Sequence, residues 1–244
     1  MEDPMQAFKQ GLASLYKHEQ FADFTIICGP HTFKVHKAII CAHSKYFAIA
    51  CSSGSFKEGK RGELVLKAIR SEDDEDDTCD DPEAVKHMVH FFYCMDYDAA
   101  SDAAIGANVA HPPDQVLSTP PRQLVTAYAS SKYSGRKSKS SKETEKAVSE
   151  DAGNMVMHAK IFAAAVKYQV PALQALAASK FIEAVKTNWD QDSFAEAAYV
   201  VYTTTPKEVG VLRDEIAKTI FVHGILLQKA VVEAVVRAID GLAF

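Results

Sequence analysis

FADFTIICGPHTFKVHKAIICAHSKYFAIACS, residues 21–52, is the stretch that decides the fold. Phe24, Thr25, Ile26 and Ile27 make an apolar run rich in β-formers, and Gly29-Pro30 supplies a turn. His31 to Val35 then alternates as a half-buried strand does, so the stretch predicts a β-hairpin with Phe33 and Val35 turned toward the core. Directly afterwards the apolar period changes. Ala38, Ile39 and Ala42, then Tyr46, Phe47, Ile49 and Ala50, predict two short helices, with Ser44 placed to cap the second. A hairpin that feeds straight into helices implies a mixed α/β unit, in which helices must cover a small sheet.

Working outward, residues 4–17 predict an N-terminal helix, with Pro4 near its start and Met5, Phe8, Leu12, Leu15 and Tyr16 mainly on one stripe. Beyond the two short helices, Ser53-Gly54-Ser55 is a stop, Phe56-Lys57-Glu58-Gly59 a loop, and Glu63-Leu64-Val65-Leu66 a third strand. The run SEDDEDDTCDD, residues 71–81, repels itself and should stay solvated. Asp81-Pro82 then combines an N-cap with proline at the first helical position. It opens an amphipathic helix over 82–95 on Val85, Met88, Val89, Phe92 and Met95. From about 97 to 153 the periodicity collapses, and the Ala-, Ser-, Pro- and Lys-rich composition predicts a disordered insertion. Within it, Leu124–Tyr128 is apolar enough for a short helix or docking motif, and the basic stretch 132–142 carries serines open to phosphorylation.

Order returns at 154–169, on Met155, His158, Ile161, Phe162, Ala165 and Tyr168, and Pro171 opens a further helix over 171–186. Two or three more helices close the chain. Thr205-Pro206-Lys207-Glu208 reads as a capping box with proline at the first helical position, starting a helix over 206–222. The last helix is expected over 225–239, and both stripes need a partner in the preceding helices.

The bulk composition bounds the function classes. A chain of 244 residues with 48% hydrophobic residues buries a core without metal or disulfides, and a net charge of −5 gives no reason to expect nucleic acid or anionic membrane as the main partner. The start, MEDPMQAFKQ, carries acids where a signal peptide has a basic region, and no apolar run approaches the length of a membrane span. Five scattered cysteines imply free thiols in a reducing compartment, hence the cytoplasm or nucleus. Cys28-x2-His31 and His36-x4-Cys41-x-His43 invite a zinc reading, but their irregular pairing along strand and helix argues against it. No nucleophile signature and no glycine-rich phosphate loop is present, so the sequence implies no catalysis, no metal and no cofactor.

Taken together, Asp23 before the first strand, Phe33-Lys34-Val35-His36-Lys37-Ala38, Ser44-Lys45-Tyr46-Phe47, Phe56-Lys57-Glu58 and Leu64-Val65-Leu66 closely resemble the BTB/POZ family. Tyr97, Lys167-Tyr168, Pro171 and Leu173 look like the paired helices of that family, so the resemblance spans about 18–97 and 154–186. Residues 187–244 look like the helical tail of stand-alone BTB proteins common in filamentous fungi. The resemblance implies a BTB/POZ domain over 1–186 with a helical extension over 187–244. It also implies a protein–protein interaction module, an adaptor or scaffold, acting through two surfaces.

One surface is self-association through the N-terminal helix, with Phe8, Leu12 and Leu15 as its residues, although the chain lacks the extra N-terminal strand that many dimeric members exchange. The other recruits a cullin ubiquitin-ligase scaffold through a hydrophobic residue, any residue and then Glu, matched here by Phe56, Lys57 and Glu58. The alternative is an oligomerising module in transcriptional or other complexes without ligase work. Asp23, His36, Lys37, Ser44, Tyr46, Phe47 and Tyr168 are the family's structural motif. Asp23 is suited to accept backbone N–H bonds and His36 to serve as a buried hydrogen-bonding group.

Overall fold

The computed structural model of the protein describes residues 3–52, 56–67, 80–99 and 154–238. The acidic run before Asp80, the insertion over 100–153, its apolar segment and its basic stretch lie outside the described residues. In chain order the elements are α1 (Pro4–His18), β1 (Phe24–Cys28), β2 (His31–Val35), α2 (Lys37–His43), α3 (Lys45–Ala50), α4 (Lys57–Arg61), β3 (Glu63–Leu66) and α5 (Pro82–Cys94). Then follow α6 (Met155–Lys167), α7 (Pro171–Asn188), α8 (Ser193–Thr204), α9 (Val211–Val222), a 3₁₀ turn (Gly224–Gln228) and α10 (Ala230–Ala238).

The hairpin forms as its alternation demands. Gly29 turns the chain at φ 56, a left-handed conformation that only glycine adopts at no steric cost, and Ile26 faces Phe33 across the antiparallel β1–β2 ladder. β1 also pairs with β3, in parallel, with Ile26 opposite Leu64, which gives the sheet order β2-β1-β3. Parallel pairing requires a crossover, and α2, α3 and α4 supply it. Phe24, Ile26, Cys28, Phe33, Val35, Leu64 and Leu66 bury one face of this sheet.

The crossover helices depart from their expected stripe. Ala38 and Ala42 are exposed and Ile40 is buried, while Phe47, not Ile49, carries α3 into the core. Large side chains decide the rotation of such short helices, because a methyl group gains little from burial. The segment expected as a loop after Ser55 is instead the one-turn helix α4.

α5 starts where Asp81-Pro82 predicts, its Asp81 Oδ1 accepting from the Glu83 and Ala84 N–H groups at 3.0 Å each. It is buried nearly all round rather than on one stripe, because α1, α2, α6 and β2 enclose it. Even its Lys86 lies buried, with Nζ donating to Glu83 at 2.8 Å. α6 packs most extensively on α7 and α8, and a single apolar core runs from Phe24 to Val232.

The C-terminal helices begin differently from their sequence signals. Thr205 ends α8 instead of opening a helix: its N–H and hydroxyl both donate to Val201 O, and its backbone is extended at φ −109, ψ 140. A residue before proline is driven out of the helical region, so Thr205-Pro206 is a stop, and α9 begins only at Val211. The expected helix over 225–239 breaks in two at Lys229, whose backbone is extended at φ −78, ψ 120, and Ile225 is exposed in the 3₁₀ turn. Trp189, the single tryptophan, stacks on His223 with centroids 3.7 Å apart, joining the end of α7 to the end of α9.

Because one core spans both halves, unfolding should be one cooperative event. In urea, Trp189 fluorescence and far-UV circular dichroism should trace coincident transitions. An earlier fluorescence transition would mean that the C-terminal helices melt independently.

Candidate interaction surface

Phe56 is the N-cap residue of α4, extended at φ −128, ψ 152, and it is 46% exposed. Lys57 is exposed and Glu58 partly so, in the first helical turn, where a carboxylate is favoured by the helix dipole. No ion pair ties Glu58 to another described residue, although its charge helps raise the Tyr46 phenol above its ordinary range, behind the larger effect of burial. An exposed aromatic beside an uncommitted carboxylate is the composition of an interface anchor.

The position of that anchor is held from behind. Gly59 is buried, and a Cβ there would lie 2.5 Å from the Ser52 carbonyl oxygen and 3.1 Å from that of Cys51. The helix can therefore lie flat on the Cys51–Ser52 backbone only with glycine at this position. Gly62, at φ 69, closes the turn with its N–H donating to Glu58 O at 2.9 Å, and its own carbonyl accepts from Thr25 N–H. One residue later the chain is in β3, so the C-terminal end of α4 is fastened to the sheet while Gly59 in its middle rests on the backbone that ends α3.

The residues expected as the family's structural motif are held by polar contacts and ring stacking. Asp23 Oδ1 accepts from Lys37 N–H at 2.8 Å, joining the start of β1 to the start of α2. His36 is buried, with Nδ1 2.8 Å from the Tyr93 hydroxyl and Nε2 2.5 Å from Gln20 O, while its backbone N–H donates to the same Tyr93 oxygen at 2.9 Å. Burial pushes the Tyr93 phenol up to about 12, against the opposing pull of the His36 N–H, so it stays protonated as a structural group. Ser44 Oγ accepts from Phe47 N–H at 3.1 Å, capping α3, and donates to Tyr168 O at 2.5 Å. Phe47 stacks on Tyr168 at 5.5 Å and meets Phe92 edge-on, while Tyr46 meets Tyr168 edge-on at 5.0 Å. Burial, reinforced by the neighbouring Asp80, raises Tyr168 far above the ordinary phenol range, and Asp80 pairs with Lys167 at 2.9 Å.

The N-terminal helix presents a second surface. None of its residues is buried: Leu12 and Leu15 are half-buried, Met5 is 59% exposed and Phe8 61% exposed. α1 is fastened to α5 by Tyr16, which stacks on Tyr93 at 4.8 Å. Tyr93 is the residue that sequence reasoning missed. Its signal was present, four residues after Val89 on the same face of α5, but nothing in one sequence says that this hydroxyl joins His36 to α1. Gly59 carried no signal at all.

The residues considered for zinc are engaged separately. Cys28 is buried in β1, His31 pairs with Glu83 at 2.5 Å, His36 binds Tyr93, Cys41 donates to Phe47 O, and His43 stacks on Phe92. No group of three or more His, Cys, Asp or Glu side chains able to hold a metal occurs among the described residues. Nor is any described helix long and apolar enough to cross a membrane.

Residues 12–105 match the family model of the BTB/POZ domain, and the architecture is the α/β BTB/POZ fold with a helical C-terminal extension. The chain thus contains a domain of a protein-interaction family. No curated protein matches the chain.

Two substitutions test the support of this surface. Ser44→Ala removes a cap and leaves the buried Tyr168 carbonyl without its donor, and should cost about 1–3 kcal/mol in urea denaturation. Gly59→Ala forces a methyl group onto the Ser52 carbonyl and should cost about 1–3 kcal/mol, with enhanced amide exchange across 57–61.

Proposed function

We propose that the chain is an adaptor that brings a target protein to a cullin-based ubiquitin ligase, with Phe56, Lys57 and Glu58 at the scaffold contact. The observation that carries this reading is the exposure of Phe56 at the start of a one-turn helix whose Gly59 rests on the Cys51–Ser52 backbone and whose Gly62 is tied to the sheet. A rigid aromatic anchor loses little side-chain entropy on binding, and Glu58 beside it is available for an ion pair across the interface. On this reading residues 1–186 form the interaction unit, and 187–244 are the extension similar to that of fungal stand-alone BTB proteins. The protein acts in the cytoplasm or nucleus, where its thiols stay reduced.

The test is light scattering on the chain with a cullin N-terminal domain, followed by pull-down of variants. A stable complex is expected. Phe56→Ala with Glu58→Ala should lose it, a weakening of at least tenfold, at an unchanged melting temperature. Binding that survives both substitutions removes these residues from the contact, and the absence of any complex removes the ligase role.

A second reading, self-association without ligase work, is favoured by the exposed apolar face of α1. Phe8, Leu12 and Leu15 are its contact residues. Leu12→Glu with Leu15→Glu should reduce the mass measured by light scattering from dimer to monomer. An unchanged dimer mass takes α1 out of the interface.

A further inference from the structure

Gly59 gives α4 an inner side, and the residues around it define an outer one. At about 3.6 residues per turn, helix positions 57, 60 and 61 share one face, and position 59 points away from it. That outer face is Lys57, Lys60 and Arg61, all exposed, beside the exposed Phe56. None of the three makes an ion pair with a described residue, not even with Glu58, which follows Lys57 and stands three positions before Arg61. Exposed cations of other helices stand against acids: Lys186 lies 3.0 Å from Glu183, Lys218 3.5 Å from Glu215 and Arg237 2.6 Å from Glu233.

The fold does not account for this cluster. Like charges three and four positions apart on a helix repel each other. The helix dipole suits Lys60 and Arg61 in the last turn, but not Lys57 at the first position. The chain as a whole carries −5, so a cationic face is a local exception. Charge of one sign around an exposed aromatic, compensated by no described neighbour, is matched by opposite charge on a partner.

We propose that α4 docks an acidic protein surface, whose carboxylates stand opposite Lys57, Lys60 and Arg61 around an apolar pocket for Phe56. This deepens the adaptor reading and rests on it for the place of contact. The two kinds of residue act on different steps. The cations govern the rate of encounter, which salt screens, and Phe56 supplies the apolar contact that governs release.

Association of the full chain with a cullin N-terminal domain is followed by biolayer interferometry in about 50 mM and about 500 mM sodium chloride. The association rate should fall about tenfold or more at the higher salt, with the dissociation rate little changed. Lys57→Glu with Lys60→Glu and Arg61→Glu should slow association about tenfold or more in low salt and abolish its fall with salt, at an unchanged melting temperature. A wild-type association rate that does not respond to salt overturns the proposal, and it decides even if the variant fails to fold. If the cullin domain does not bind, the ligase role fails, and a second probe decides: a glutamate-rich peptide joined to the chain by carbodiimide cross-linking. Cross-links concentrated on Lys57 and Lys60 uphold an acidic partner at this face. Cross-links spread over all exposed lysines overturn it. So do links from Lys57 or Lys60 to the chain's own acidic residues 72–77, or tighter binding of a DNA duplex than of the peptide.

Discussion

The Ser44 hydroxyl holds together two parts of the chain separated by 124 positions. As an acceptor it caps α3 through Phe47 N–H, and as a donor it satisfies the Tyr168 carbonyl at the end of α6. A hydroxyl carries one donor and two acceptor lone pairs, so one side chain performs both tasks. Around it, Phe47 stacks on Tyr168, and Asp80 pairs with Lys167, so α3, α5 and α6 meet at one place. The long stretch between α5 and α6 is pinned at its two ends, where Asn154 donates to Ala99 O at 3.0 Å.

A second polar cluster orders the start of the chain. Tyr93 receives the backbone and ring of His36 and the ring of Tyr16, and His36 reaches back to Gln20 O. These contacts tie α1 to α5 through the stacked Tyr16 and Tyr93 rings, and Gln20 just beyond it to His36 through a hydrogen bond, not through a buried apolar stripe. Met5 and Phe8 of α1 are consequently left outward, where a partner can meet them. The same division holds at α4, where Gly59 faces inward on the Ser52 carbonyl and Phe56 faces out. In both places the anchoring residue and the presented side chain are different, so substitution of one need not disturb the other.

Much of this was legible in the sequence. The hairpin, the third strand, the Asp81-Pro82 start of α5 and the cap of α3 follow from local chemistry, where turn residues, caps and periodicity act over a few positions. The misreadings occur where two local signals compete or where packing decides. Thr205-Pro206 satisfies the pattern of a helix start, yet proline also bars a helical Thr205, and the end of α8 wins because the Thr205 hydroxyl and N–H both find Val201 O. Ala38 and Ala42 lie on the expected stripe of α2, but Ile40 gains more from burial and sets the rotation. Among the site residues, Phe56 and Glu58 could be marked from their pattern. Their exposure could not, because it depends on how α4 rests on α3.

The sequence by itself determined the three strands, the α/β class and most of the helices, since each depends on neighbours within a turn or two. The tertiary structure alone decided the parallel pairing of β3 with β1, the near-complete burial of α5, and the bond from the Ser44 hydroxyl to the Tyr168 carbonyl. It also decided which apolar residues remain outside: Phe8 and Phe56 are as hydrophobic as Phe47 and Phe92. The physical reason is that burial is a property of the surface opposite a side chain. That surface is assembled from residues far away along the chain.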